Sequence, residues 1–251
     1  MDIYPQAEPF YLPGSTNLAL LLLHGFTASP SEVYPVARLI HAQNKCTVSA
    51  ILLPGHGTSP ELLNKCSWTD WYDAVKAELD HLLARYPRVF VAGLSMGALL
   101  ALNAALNMEG LQGVVSINAP IYNRNPCLTT CAPLYGYVRP YYPKKGIQEL
   151  DDLEEQGRFA YRVMPVKAFQ SLMKLRAKIM QEVQQLKIPA LIIQSWQDES
   201  VHPRSGSFLF AKTKANGSTL IELQSSGHIA TMGSEKERIA REIMAYMEKC
   251  G

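Results

Sequence analysis

Residues 89–102, VFVAGLSMGALLAL, hold Ser95 between two glycines in the pattern G-x-S-x-G. A run typical of a strand, residues 88–92, precedes this pattern, and an apolar run typical of a helix, residues 98–106, follows it. In a strand–serine–helix turn the serine is strained, and the flanking glycine positions lie too close to the neighbouring strand and helix for a Cβ. We therefore predict that the Ser95 hydroxyl is exposed at the carboxyl end of a sheet. The alternative is an ordinary glycine-flanked turn in which the serine caps the helix.

Short apolar runs alternate along the chain with longer segments of helical periodicity. Six runs are continuously apolar, as is typical of strands that helices bury on both faces. These predicted strands are residues 19–23, 47–52, 89–93, 113–117, 190–195 and 219–223. Capping patterns at Ser67 and Ser234 mark the starts of two helices. The order predicts an α/β fold with a mostly parallel central sheet of about six to seven strands and helices on both faces.

Residues 121–186 interrupt this alternation. They contain no convincing strand, six of the twelve tyrosines and a long amphipathic helix. The apolar positions of that helix are Phe169, Leu172, Leu175, Ile179, Val183 and Leu186. Because the segment is too long for a loop between two strands, we predict an inserted helical cap at 121–186, between a first core part at 1–120 and a second at 187–251.

Composition narrows the class of protein. The chain has 251 residues, 47% of them hydrophobic, which suffices for one α/β core with an insertion. Its net charge of +2 argues against a nucleic-acid-binding surface. Five cysteines without a CxxC pair or histidine partner favour reduced thiols over a metal site, and we expect no metal and no cofactor. Because no signal peptide is visible and the apolar run 18–23 is too short to span a bilayer, we expect a cytoplasmic protein without an integral membrane segment.

A nucleophilic serine needs a general base and an acid that orients it, and in this topology they follow the serine in the order acid, histidine. Two histidines follow Ser95. His228 comes just after the last predicted strand, where a loop brings its imidazole to Ser95, whereas His202 precedes a proline at a helix start and suits a capping or surface role. Asp198 follows the penultimate strand and is the candidate acid, with Glu199 as its rival. The alternative interpretation of Glu199 is a solvent-facing neighbour or a charge at a helix start.

Two backbone N–H groups are candidates for an oxyanion hole. The segment LLHGFT, residues 22–27, turns at its glycine, so that the N–H of Phe26 faces the nucleophile. Met96 begins the helix after the serine, where an N–H points at an anion. Together the two donors would stabilise a tetrahedral oxyanion. His24 and His56, in the two strand-end turns, suit structural hydrogen-bonding roles.

Six segments, LLLHGFTASP, LPGHGTSPE, GLSMGA, INAPIY, QSWQDESVHP and SSGHIAT, together resemble those of the α/β-hydrolases. More narrowly, the chain resembles small bacterial carboxylesterases and monoacylglycerol lipases with a short helical cap, from about residue 9 to the last helix and least in the cap. The resemblance implies Ser95 as nucleophile, Asp198 as acid and His228 as base, with Phe26 and Met96 as oxyanion donors. Ala98 departs from it, since relatives usually have a second glycine there.

The predicted function is that of a serine carboxylesterase that hydrolyses small-molecule esters with short-to-medium acyl chains through an acyl-serine intermediate. A monoacylglycerol lipase, thioesterase, peptidase or acyltransferase would use the same residues. A non-catalytic ligand-binding protein is the alternative of another class, and a missing triad member would mark it. The candidate acyl-pocket residues are Leu128, Tyr135, Met164 and Phe169. No charged cluster in the sequence suggests a phosphorylated or nucleotide-bearing leaving group, and no feature indicates an oligomeric state.

Overall fold

The computed structural model describes residues 2–43, 45–124, 139–144 and 147–250, with backbone alone for 147–150. Its strands are β1 (Phe10–Leu12), β2 (Leu18–Leu23), β3 (Thr47–Ala50), β4 (Arg88–Leu94), β5 (Leu111–Ile117), β6 (Tyr141–Pro143), β7 (Val163–Pro165), β8 (Ala190–Ser195) and β9 (Thr219–Leu223). Its helices are α1 (Tyr34–His41), α2 (Pro60–Leu63), α3 (Trp68–Leu83), α4 (Met96–Asn107), α5 (Ile147–Glu155), α6 (Val166–Glu182), α7 (Arg204–Thr213) and α8 (Lys236–Lys249).

Seven strands form one sheet in the order β1-β3-β2-β4-β5-β8-β9. Every neighbouring pair is parallel except β1 and β3. All six predicted strands are present in this sheet, with ends within two residues of the prediction. The seventh, β1, was missed because three partly exposed residues at a sheet edge carry too short a pattern.

Helices cover both faces of the sheet, as predicted. The side chains of β4 alternate between the two faces: Val89 and Val91 pack with residues of α3, α4 and α6, whereas Phe90 and Ala92 pack with residues of α1 and α8. Both faces of β4 are therefore buried, which explains its continuously apolar sequence. The edge strand β9 does not follow the prediction of a strand buried on both faces, because Thr219 and Glu222 are exposed.

The prediction of no strand within residues 121–186 is wrong. β6 and β7 form a two-stranded antiparallel sheet in which Tyr142 pairs with Met164. Each strand is three residues long and ends in a proline, so neither produces a recognisable alternation. The predicted amphipathic helix is α6, which packs against α3 and α4 and buries Leu172, Leu175 and Ile179.

No helix in the described parts of the chain is both long enough and apolar enough to cross a membrane.

Candidate active site

Ser95 lies between β4 and α4 with a φ of 56°, a left-handed conformation that is strained for a residue with a side chain. The two flanking positions must be glycine because there is no room for a Cβ atom at either one. A Cβ on Gly93 would lie 2.1 Å from the carbonyl carbon of Gly97, and a Cβ on Gly97 would lie 2.3 Å from the Leu23 carbonyl oxygen. The backbone N–H of Ser95 donates to the Ile117 carbonyl at 2.9 Å. The neighbouring strands therefore hold the serine in its strained conformation.

The structure brings Ser95, His228 and Asp198 into one hydrogen-bonded chain. His228 Nε2 lies 2.9 Å from Ser95 Oγ, and His228 Nδ1 lies 2.8 Å from Asp198 Oδ2. The other carboxylate oxygen of Asp198 accepts from the backbone N–H of Ser200 at 2.9 Å and of Val201 at 2.7 Å. Because the buried carboxylate only accepts hydrogen bonds, His228 donates through Nδ1 and presents Nε2 as acceptor to the serine hydroxyl.

The environment of His228 shifts its pKa upward. Burial lowers the pKa, but the charge and hydrogen bond of Asp198, together with the charges of Glu199 and Glu32, outweigh burial and leave the pKa above 6.5. A raised pKa favours the protonated ring, so an imidazole at this position can hold a proton taken from a neighbouring hydroxyl.

Glu199, the rival acid, lies close to the site in a different position. Its Oε2 accepts from the backbone N–H of His228 at 3.0 Å, and the side chain lines the cavity beside Ser95. Asp198 alone of the two carboxylates contacts the His228 ring in this way. Glu199 is exposed, as expected of a solvent-facing charge. Its carboxylate also supports the loop that carries the histidine.

The other histidines have structural positions. His202 Nδ1 accepts from the backbone N–H of Arg204 at 3.2 Å, at the start of α7. His24 Nε2 accepts from the Leu53 N–H at 3.1 Å, so its Nδ1 donates to the Gly25 carbonyl at 2.9 Å. Burial is the main cause that lowers the pKa of His24 to about 4, which keeps the ring neutral. His24 thus links the loop after β2 to the loop after β3.

The same loop brings the candidate oxyanion donor Phe26 next to Ser95. A Cβ placed on Gly25 would lie 3.6 Å from Ser95 Cβ. Thr27, two residues after Gly25, has a φ of 66°. Met96 is the first residue of α4, so its N–H has no acceptor within the helix. The roles of Phe26 and Met96 as oxyanion donors remain predictions.

A cavity of about 570 Å³ opens beside Ser95 and His228. Two of the four candidate acyl-pocket residues, Met164 and Phe169, line it, whereas Leu128 and Tyr135 lie outside the described residues. The Phe169 ring centroid lies 6.1 Å from that of Phe26. The apolar part of the lining includes Phe26, Leu153, Met164, Phe169, Leu172, Met173, Val201 and Ile229. This lining suits an aliphatic chain.

A charged cluster in the same cavity was missed by the sequence analysis. Glu32, Arg158 and Lys144 line the cavity, and Arg158 Nε donates to Glu32 Oε1 at 2.8 Å. The paired side chains are almost fully buried, at 5% and 1% exposed. Burial raises the pKa of Glu32, but Arg158 outweighs burial and keeps the carboxyl ionised. These residues lie far apart in the chain, so spacing carried no signal for the cluster.

Within the described ranges we find no group of three or more histidine, cysteine, aspartate or glutamate side chains that could hold a metal ion.

The α/β-hydrolase fold class is defined by a mostly parallel sheet with a strained serine after a central strand and with an acid and a histidine from later strand-end loops. This chain has all of these features, on a seven-stranded sheet. The family model described as serine aminopeptidase, S33, matches residues 14–233. The chain belongs to this family of hydrolases.

Curated relatives and solved structures agree with this assignment. A thermostable monoacylglycerol lipase of Bacillus sp. (strain H-257) is 29% identical, over 97% of this chain and 95% of the relative. A carboxylesterase of Bacillus subtilis (strain 168) is 24% identical, over 96% of each chain. A solved structure from the work on LipS and LipT, two metagenome-derived lipolytic enzymes, is 31% identical with a TM-score of 0.87, over 99% of this chain and 100% of that one. The resemblance to the α/β-hydrolase esterases is confirmed.

Proposed function

We propose that the protein is a carboxylic-ester hydrolase in which Ser95 is the nucleophile, His228 the general base and Asp198 the orienting acid. One observation carries the proposal: the continuous chain from Ser95 Oγ through the two ring nitrogens of His228 to Asp198 Oδ2, with links of 2.9 and 2.8 Å. The monoacylglycerol lipase and the carboxylesterase among its relatives support an ester as the bond that is cleaved.

In the proposed reaction, Ser95 Oγ attacks the ester carbonyl while His228 Nε2 takes the hydroxyl proton. The backbone N–H groups of Phe26 and Met96 stabilise the negative oxygen of the tetrahedral intermediate, each typically worth about a hundred- to a thousandfold in rate. His228 then gives its proton to the leaving alcohol, and an acyl-Ser95 ester remains. A water molecule, deprotonated by His228, attacks this ester, and collapse of the second tetrahedral intermediate releases the carboxylic acid and restores Ser95.

We propose acyl chains of short to medium length as substrates, because a cavity of about 570 Å³ with Met164, Phe169 and Leu172 in its lining accommodates an aliphatic chain. A monoacylglycerol lipase is the second candidate, favoured by the relative of that activity at 29% identity. A thioesterase uses the same triad and is distinguished by its substrate.

We also infer the predicted three-part organisation, with a cap at residues 121–186. It is supported by the parallel pairing of β5 with β8, which flank this segment and are neighbours in the sheet. The described cysteines, Cys46, Cys66 and Cys250, are free thiols. Free thiols support a reducing compartment, and we propose the cytoplasm.

Labelling with a fluorophosphonate probe tests the proposed function. The probe should modify Ser95 in the folded protein, and mass spectrometry of peptides should locate the adduct there. Ser95→Ala should lose labelling and ester hydrolysis, since removal of such a serine typically costs about a millionfold in kcat. A folded protein that neither labels nor hydrolyses esters would instead be a ligand-binding protein, and Ser95→Ala with more than about a tenth of the activity would place the nucleophile elsewhere.

A further inference from the structure

Four residues form a charged subsite in the active-site cavity: Thr27, Glu32, Lys144 and Arg158. Arg158 donates from Nε and Nη2 to Glu32 Oε1, at 2.8 and 2.5 Å. Lys144 Nζ donates to Thr27 Oγ1. The subsite therefore joins the loop after β2 to residues between β6 and α6 in the chain.

The charged subsite lies directly beside the nucleophile. A Cβ placed on Gly25 would lie 2.9 Å from Glu32 Oε2 and 3.6 Å from Ser95 Cβ. One methyl-sized group at this point would therefore touch both side chains. Glu32 also contributes to the upward pKa shift of His228. Glu32 therefore lies within reach of a group bound at Ser95, and Lys144 and Arg158 line the same cavity.

The charges of the subsite do not balance when Lys144 is protonated. Two cationic side chains, Lys144 and Arg158, face one carboxylate, and both oxygens of Glu32 already accept hydrogen bonds, Oε2 from the Gly25 N–H at 3.1 Å. Burial and the charge of Arg158 lower the pKa of Lys144 to about 7, although Glu32 opposes this shift. A second anion would relieve the repulsion between the two cations.

The hydrogen-bond donors of the subsite are also in excess. Arg158 Nη1 is buried and has no hydrogen-bond partner among the described residues. Lys144 has three N–H donors, and among those residues Thr27 accepts from one of them. A buried charged donor without an acceptor is costly, and native structures seldom leave one. A group that is rich in acceptors and negatively charged would satisfy these donors, and a carboxylate fits this description better than a neutral hydroxyl.

We propose that the charged subsite binds a carboxylate carried by the substrate, and that the protein hydrolyses esters with a free carboxylate, such as half-esters of dicarboxylic acids. This inference rests on the proposed function and adds a substrate class to it. The apolar lining around Phe169 receives the uncharged part of the ester, while Lys144 and Arg158 hold the charged end.

Matched pairs of esters test the substrate class. Monoethyl adipate and ethyl hexanoate have acyl chains of equal length and differ in the terminal carboxylate, as 4-acetoxybenzoate and 4-acetoxybenzamide differ on the alcohol side. We expect a higher kcat/KM for the charged member of at least one pair, mainly through a lower KM. Equal values in both pairs, or a preference for the neutral members or for a glyceryl monoester, would overturn the inference and leave the proposed esterase in place.

A variant connects the preference to the subsite. Lys144→Met removes one charge while keeping the length of the side chain. It should lower the charged-to-neutral ratio of kcat/KM by about ten- to a hundredfold, the usual range for losing a hydrogen bond to a charged group. Lys167→Met, an exposed lysine of α6 outside the cavity, is the matched control and should leave the ratio unchanged. An unchanged ratio in Lys144→Met would show that any preference arises elsewhere.

A binding measurement separates this inference from the proposed function. Titration calorimetry with Ser95→Ala and monoethyl adipate needs no turnover, so it decides on the carboxylate site even in a protein without esterase activity. We expect binding in Ser95→Ala that is lost when Lys144→Met is added and kept when Lys167→Met is added. Absent or Lys144-independent binding would overturn the carboxylate site, whereas binding without any ester hydrolysis in the unmodified protein would overturn the proposed function alone.

Discussion

At the scale of the residue, Ser95 depends on its neighbours for its conformation. Its φ of 56° carries a cost of about 1–3 kcal/mol for a residue with a side chain. Gly93 and Gly97 permit this conformation, because a Cβ at either position would penetrate backbone atoms at 2.1 or 2.3 Å. The strain places the hydroxyl 2.9 Å from His228 Nε2, where proton transfer is direct.

The pH dependence of activity should reflect the raised pKa of His228. Only the neutral imidazole accepts the Ser95 proton, so kcat/KM for a neutral ester should rise with pH, and the midpoint should lie above the ordinary value of 6.5. The measurement is a pH–rate profile between about pH 5 and 9 on ethyl butyrate. A flat profile from a stable enzyme, or a midpoint below the ordinary histidine value, would contradict a histidine base paired with Asp198.

Glu199→Gln is the matched variant for this profile. Glutamine keeps an oxygen that accepts from the His228 N–H, but it removes one of the charges that raise the histidine pKa. The midpoint should therefore move to lower pH. An unmoved midpoint would mean that the Glu199 charge does not act on the ring.

At the scale of the element, α6 serves both the core and the cavity. Leu175 and Ile179 are fully buried, whereas Phe169, nearer the start of the helix, is half-buried and lines the cavity with Leu172. One amphipathic helix thus supplies an apolar surface to the core beneath it and part of the cavity wall.

Truncation of that wall should change the preferred acyl chain length. Phe169→Ala enlarges the cavity, so kcat/KM should shift towards longer chains in a graded way, at about 1–3 kcal/mol per methylene. The measurement is hydrolysis of 4-nitrophenyl esters from acetate to laurate. Met180→Ala, a half-buried residue of the same helix that does not line the cavity, is the control and should keep the original preference.

A melting curve must accompany these variants, because truncation of a fully buried phenylalanine costs about 3–5 kcal/mol and the half-buried Phe169 would lose part of that stability. If folded Phe169→Ala loses activity equally on every chain length, Phe169 is not part of the acyl-binding wall.

At the scale of the whole molecule, the described residues between β5 and β8 make several contacts with the rest of the protein. The Tyr161 hydroxyl donates to the Gly55 carbonyl at 2.9 Å and accepts from the Thr58 N–H at 2.8 Å. The buried pair of Glu32 and Arg158 makes a second connection across 126 residues of sequence. These contacts, together with the packing of α6 on α3 and α4, favour one cooperative unit.

Ile179→Ala should accordingly destabilise the entire protein. The side chain is fully buried in the core cluster, so the free energy of unfolding should fall by about 2–5 kcal/mol. Urea unfolding followed by far-UV circular dichroism and by tryptophan fluorescence measures this loss. Lys174→Ala, an exposed position of the same helix, should change the free energy by less than about 0.5 kcal/mol. Two separate transitions, with only one shifted by Ile179→Ala, would mean that residues 121–186 unfold independently.

The sequence alone determined six of the seven strands of the central sheet and the triad of candidate residues. The strands that helices bury on both faces carry continuous apolar runs, and the serine turn requires glycines at two fixed positions. The strands and the turn can therefore be recognised from short stretches of sequence. Asp198 and His228 were found because each follows a recognisable strand, and the ends of neighbouring parallel strands meet at one edge of the sheet.

Only the tertiary structure decided what surrounds that triad. Glu199 and Asp198 are neighbours in sequence, and the path of the loop alone directs one carboxylate to the His228 ring and the other to its backbone N–H. Lys144 and Arg158 meet Glu32 because the chain between β5 and β8 passes over the loop after β2. Charge pairing between distant segments has no period and no fixed spacing, since it depends on the path of the chain in space rather than on a repeating pattern of burial.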